Sequence, residues 1–139
     1  MTVVLDSWAI IRYLEDQGPA AALVSTLLTS ERPIASWINL GEVFYIVRRA
    51  SDDASASSTL RDLRDVLTTD LPTESRVVEA ARIKATHPMA YAGAFAAATA
   101  VAHDAVLWTG DPELLIERAS WNWRDLRTDE NFAPAEARS

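Results

Sequence analysis

TVVLDSWAIIRYLED, residues 2–16, changes its periodicity at an acid. Thr2 to Leu5 is short, β-branched and apolar, and it ends in Asp6. Beyond it, Trp8, Ile11 and Leu14 recur at helical spacing. The segment predicts a strand, then a helix, with a carboxylate at the junction. Two further units read the same way. Pro33 to Trp37 predicts a second short strand leading into a helix from about Leu40 to Arg49. Val106 to Thr109 predicts another, followed by Gly110-Asp111-Pro112 and a short helix from Pro112 to Arg118. Alternating βα units predict an α/β domain with a mostly parallel sheet and helices on both faces, and such sheets place their sites beyond the carboxyl ends of the strands. Asp6 and Asp111 fall there.

The intervening chain fills in the helices. Gly18 and Pro19 end the first helix, and Ala20 to Leu28 begins another with Pro19 near its first turn. Ser51 to Ser58 predicts a connection inside which a helix begins, continuing through Leu60 to Leu67. Leu71-Pro72 is read as a very short strand, and Thr73 or Glu74 opens a helix through Ala85. Pro88 starts the next, and MAYAGAFAAATAVAH (89–103) is apolar nearly all round, which predicts a buried helix. Trp123 to Leu126 is read as a last edge strand. The polar stretch Thr128 to Ser139 predicts a frayed tail, leaving one domain over residues 1–127 and a tail over 128–139.

Composition narrows the chemistry. The 139 residues, 49% hydrophobic and 24% charged, suffice for one domain with a full core. The absence of cysteine excludes disulfides, thiolate zinc sites and cysteine nucleophiles, and His87 and His103 alone make a histidine-rich zinc site a poor fit. No stretch approaches the roughly 18 apolar residues of a membrane span, and MTVVLD lacks the basic and apolar regions of an export signal, so a cytoplasmic protein is expected. A net charge of −7 argues against a general nucleic-acid coat but leaves room for a local basic groove. Lys84 is the only lysine; the other cations are arginines, able to grip phosphate bidentately. Arg12, Arg48 and Arg49 lie nearest the acidic motifs and are the candidates for gripping nucleic-acid phosphate. Solvated helix faces explain them as well.

Each acid also has an ordinary structural explanation. Asp6 or Ser7 caps the first helix, Asn39-Leu-Gly-Glu42 has the spacing of a capping box, and Asp111 before Pro112 has that of a helix N-cap. Capping does not explain why Asp6, Glu42 and Asp111 would converge on one edge of a parallel sheet. Carboxylates repel, and a divalent cation is the usual reason to gather them.

At this point VVLDSWAII (3–11), ASWINLGEV (35–43), AYAGAFAAATA (90–100) and LWTGDPELL (107–115) resemble, in order and across nearly the whole chain, the PIN-domain family and within it the VapC-type toxins of bacterial toxin–antitoxin pairs. The resemblance implies a three-layer α/β/α sandwich and an acidic pocket that holds Mg²⁺ or Mn²⁺ and hydrolyses RNA phosphodiesters. It further implies a homodimer and neutralisation by a cognate VapB-like antitoxin. Carried over by position, Asp6, Glu42 and Asp111 are the metal-holding catalytic acids, supported by Ser7, Asn39 and Thr109.

Gly93 departs from the pattern. Two residues after Tyr91 the family carries an aspartate that serves as a principal metal ligand, and glycine brings no side-chain oxygen there. Weak metal binding and impaired cleavage follow as expectations. A glycine inside a helix costs about 1 kcal/mol relative to alanine, so local propensity does not account for it; close packing of a small residue would. The alternative function is a catalytically inactive PIN-like module that binds its antitoxin. A phosphotransfer receiver or phosphatase on a similar sheet fits less well, because Asp6 is followed by Ser-Trp without paired acids.

Overall fold

The computed structural model describes residues 1–128. Five strands, β1 (Val3–Leu5), β2 (Ile34–Ser36), β3 (Thr68–Asp70), β4 (Val106–Thr109) and β5 (Asn122–Asp125), form one sheet in the order β3-β2-β1-β4-β5. Every pairing is parallel, with Val4 opposite Ile34 and Leu107, and Thr109 opposite Asp125. Parallel neighbours require crossovers, and six helices supply and flank them: α1 (Ser7–Glu15), α2 (Gly18–Ser30), α3 (Trp37–Ala50), α4 (Asp53–Val66), α5 (Glu74–Thr86) and α6 (Tyr91–Ala102).

Side-chain alternation sends the strands' apolar residues to two cores. Val3, Leu5, Ala35 and Trp108 face Ile10, Val24, Leu40 and Leu63 of the first four helices. Val4, Ile34 and Leu107 face α5 and α6, with Trp121 and Trp123 in the same cluster. The result is the expected α/β/α sandwich. Helix α6 owes its place to alanine: Ala94, Ala96, Ala97, Ala98 and Ala100 are buried, and their small side chains let the helix lie close between the sheet and α5.

Several boundaries depart from the sequence reading. Helix α3 begins at Trp37 with Ser36 as its N-cap, whose Oγ accepts from the Ile38 N–H at 3.2 Å. Asn39 is therefore an interior residue and makes no capping box with Glu42. The third strand is Thr68–Asp70, where β-branched threonines pair with β2; Leu71 is exposed, and Pro72 has no N–H to donate. Helix α6 starts at Tyr91, three residues after Pro88, and its N-cap Ala90 lends no side chain; the Glu113 carboxylate accepts from the Ala90 N–H instead, at 3.1 Å. No helix forms over 112–118. The chain turns there, and the carbonyls of Leu114 and Ile116 are taken by the indole N–H groups of Trp121 (3.0 Å) and Trp123 (2.8 Å). The last strand is displaced by one residue from the predicted Trp123 to Leu126. The predicted tail lies, from residue 129 onward, outside the described residues.

Candidate active site

The carboxyl ends of β1 and β4 lie side by side, with Leu5 paired to Trp108, so Asp6 and Thr109 come together. Asp6 is 2% exposed. One of its oxygens accepts from the Ala9 N–H at 2.9 Å, capping α1, and the other accepts from the Thr109 hydroxyl. The Thr109 Oγ1 in turn accepts from the Asp111 N–H at 3.0 Å. On the other side the Ser7 hydroxyl donates to Glu42 Oε1, and the Tyr45 hydroxyl reaches Glu42 Oε2 at 3.5 Å. The Ser7 and Thr109 hydroxyls thus each donate to one acid, Glu42 and Asp6 respectively, and Thr109 also takes the Asp111 N–H.

Burial pushes the Asp6 carboxyl up to about 7, and the nearby Asp111 and Glu42 carboxylates push the same way against the two hydrogen bonds that favour ionisation. None of the three acids belongs to an ion pair among the described residues. Ser7, Glu42 and Asp111 line an open cleft of about 390 Å³ with Trp8, Ile11, Arg12, Glu15 and Ile46. Among the described residues no group of three or more His, Asp or Glu side chains stands ready to grip a cation as placed. In chemical kind the donors suit one: hard carboxylate oxygens, uncompensated negative charge and a buried acid that a cation would return to its ionised form.

Asp111 Oδ1 accepts from the Glu113 N–H at 3.0 Å, closing an Asx turn instead of capping a helix. Asn39 is wholly buried; its Nδ2 donates to the Ala92 carbonyl at 3.0 Å, fastening α3 to the first turn of α6, while its Oδ1 has no hydrogen-bond partner among the described residues. Gly93 sits in that first turn. It does not line the cleft, and a Cβ built on it would meet only the Leu114 side chain, at an ordinary 3.6 Å. Among the described arginines Arg12 alone lines the cleft, 4.9 Å over the Trp8 ring and 3.6 Å from Glu15. Arg48 pairs with Asp53 at 3.2 Å and Arg49 lies over Tyr45 at 5.2 Å, both away from the cleft lining. The sequence reading omitted Glu15 and Ile46. Their signal was present: Glu15 lies seven residues after Trp8 on the same face of α1, and Ile46 four after Glu42 on α3.

The PIN-domain family profile matches residues 3–121. The chain belongs to the PIN-domain family. PIN domains are typically metal-dependent nucleases. Solved structures similar to this one include VapBC-1 from nontypeable Haemophilus influenzae, at 20% identity and a TM-score of 0.71, covering 91% of this chain and 98% of that one. DNA-bound VapBC from Salmonella typhimurium matches at 14% identity and 0.71, covering 91% and 98%. Mycobacterium tuberculosis VapC20, described as a toxin that cleaves the sarcin–ricin loop, matches at 13% and 0.68, covering 81% and 92%. Comparison with curated protein sequences gives no significant match. At these identities the likeness is one of fold, and it agrees with the five-stranded parallel sheet and its flanking helices.

Proposed function

We propose that this PIN domain is a toxin-type endoribonuclease that uses Mg²⁺ or Mn²⁺ and that its activity is impaired by glycine at position 93. The observation that carries the reading is the Asp6 carboxyl, buried at the ends of two paired strands beside two further acids, none of the three in an ion pair among the described residues. That arrangement is costly unless a cation shares it. Asp6, Glu42 and Asp111 would hold the ion, with Thr109 and Ser7 orienting the first two through their hydroxyls. A bound divalent ion supplies Lewis-acid charge at the phosphoryl oxygens and an acidified water. Arg12 would meet substrate phosphate at the cleft wall.

The family's fourth acid would rise from the first turn of α6, where Gly93 has room for a side chain and none present. Cleavage of total RNA in Mg²⁺ and in Mn²⁺ tests this. The expected result is that Gly93→Asp cuts, EDTA stops it, and the unaltered chain cuts far less. Equal cutting by both chains would remove Gly93 from the ligand position.

The second reading, an inactive module that binds its antitoxin, is favoured by Gly93, which brings no side-chain oxygen to the position where the family carries an acid. Both readings take a VapB-like antitoxin as partner and a homodimer as the assembly. Leu14, Tyr45 and Ile46, exposed apolar side chains of α1 and α3 beside the cleft, are a surface for such a partner. Antitoxin pull-down is expected to succeed equally with the chain and with Gly93→Asp. Capture by Gly93→Asp alone would contradict it.

A further inference from the structure

We propose that Trp8 is the positioning residue for Asp111 and that it acts through Gly110. The inference rests on the reading of Asp111 as a cation-holding acid. Gly110 is buried, and a Cβ built on it would overlap Cη2 and Cζ2 of Trp8 and stand 2.6 Å from Cζ3. No L side chain fits between that backbone and the indole. The ring is therefore pressed against the peptide immediately before Asp111.

Trp8 is only partly buried and lines the acidic cleft. Its indole forms a wall of the cleft as well as packing on the core behind it. The Arg12 guanidinium, one helical turn further along α1, lies over the same ring at 4.9 Å. The indole follows Asp6 by two residues and belongs to the helix that Asp6 caps. A single rigid side chain thus ties the first acid's helix to the last acid's turn.

The rest of that turn is secured further along. Glu113 holds Ala90, and Trp121 and Trp123 hold the carbonyls of Leu114 and Ile116. At Asp111 the carbonyl accepts from the Leu114 N–H at 2.9 Å and the carboxylate from the Glu113 N–H at 3.0 Å, both on its downstream side, while upstream the N–H bond to Thr109 Oγ1 and the Trp8 contact at Gly110 tie the turn back to β4 and α1. Loosening the Trp8 contact frees the turn to swing and breaks the N–H bond to Thr109, leaving the sheet intact.

Hydrogen exchange at the Asp111 amide tests this without reference to catalysis, and calorimetric titration with Mn²⁺ in the Gly93→Asp background gives the second readout. Trp8→Ala is expected to speed exchange at Asp111 by about tenfold or more while core amides stay protected. It is expected to weaken Mn²⁺ binding by about fivefold or more, with Trp8→Phe retaining most of the affinity. Gly110→Ala should give the same losses by collision, and combining it with Trp8→Ala should add nothing further. Unchanged exchange at Asp111 in Trp8→Ala would overturn the proposal, as would weakened Mn²⁺ binding that Trp8→Phe fails to retain. If exchange responds but no chain, including Gly93→Asp, binds Mn²⁺, the positioning of Asp111 stands and the nuclease reading fails.

Discussion

Burial puts the Asp6 carboxyl under electrostatic tension, and its sign can be read out with pH. Its folded carboxyl titrates at about 7 against an ordinary 3.8, so between those values the folded metal-free protein binds a proton that the unfolded chain has already released. Stability from this group is therefore full at low pH and is lost as pH rises to about 7, with a slope of up to about 1.4 kcal/mol per pH unit. Thermal unfolding in EDTA from pH 5 to 8 should show a downward trend that Asp6→Asn flattens; equal slopes would contradict the raised value. Gly93 gives a second test. Because a Cβ there meets only Leu114 at van der Waals distance, Gly93→Ala is expected to stabilise the protein by up to about 1 kcal/mol in urea titration. Destabilisation would mean that glycine is required for packing. Asp6 and Asp111 stood out in the sequence because each follows a predicted strand, and Glu42 because it falls near the predicted start of a helix that in fact begins at Trp37. What composition and spacing could not show was how Asp6 and Glu42 are held, because the Thr109 and Ser7 hydroxyls that bind them come from remote segments.

At the scale of elements, the misread boundaries share a cause: a tertiary partner outbid a local signal. Asn39 looked like a cap, yet its amide is spent on the Ala92 carbonyl of α6, and the cap is Ser36, already inside β2. Ser36→Ala is accordingly expected to cost about 1 kcal/mol in chemical denaturation through the lost bond to the Ile38 N–H. No measurable loss would place the helix start elsewhere. Asp111-Pro112 carried a helix-start signal that nothing downstream sustains, because the two tryptophan indoles claim the carbonyls a helix would have used. A pairwise contact between residues 7 apart in a loop leaves no periodicity to read. The buried alanine helix, by contrast, was plain from its apolar run, since its environment is uniform on every side.

For the whole molecule, alternating strand and helix patterns were enough to give a parallel α/β sandwich, since parallel neighbours leave few other arrangements. The strand order was not legible: β4 pairs beside β1 from the far end of the chain, and it is that pairing which joins Asp6 to Thr109 and Asp111. A net charge of −7 on a protein proposed to bind RNA puts weight on local cations, and among the described residues Arg12 is the one that lines the cleft. The central claim is that the gathered acids Asp6, Glu42 and Asp111 hold a cation weakly for want of a fourth acid at position 93, and Mn²⁺ titration by calorimetry of the chain beside Gly93→Asp addresses it most directly. The account expects weak binding by the chain and an affinity at least about tenfold higher for Gly93→Asp, a gain of about 1.4 kcal/mol or more. Equal affinities for the two would contradict it.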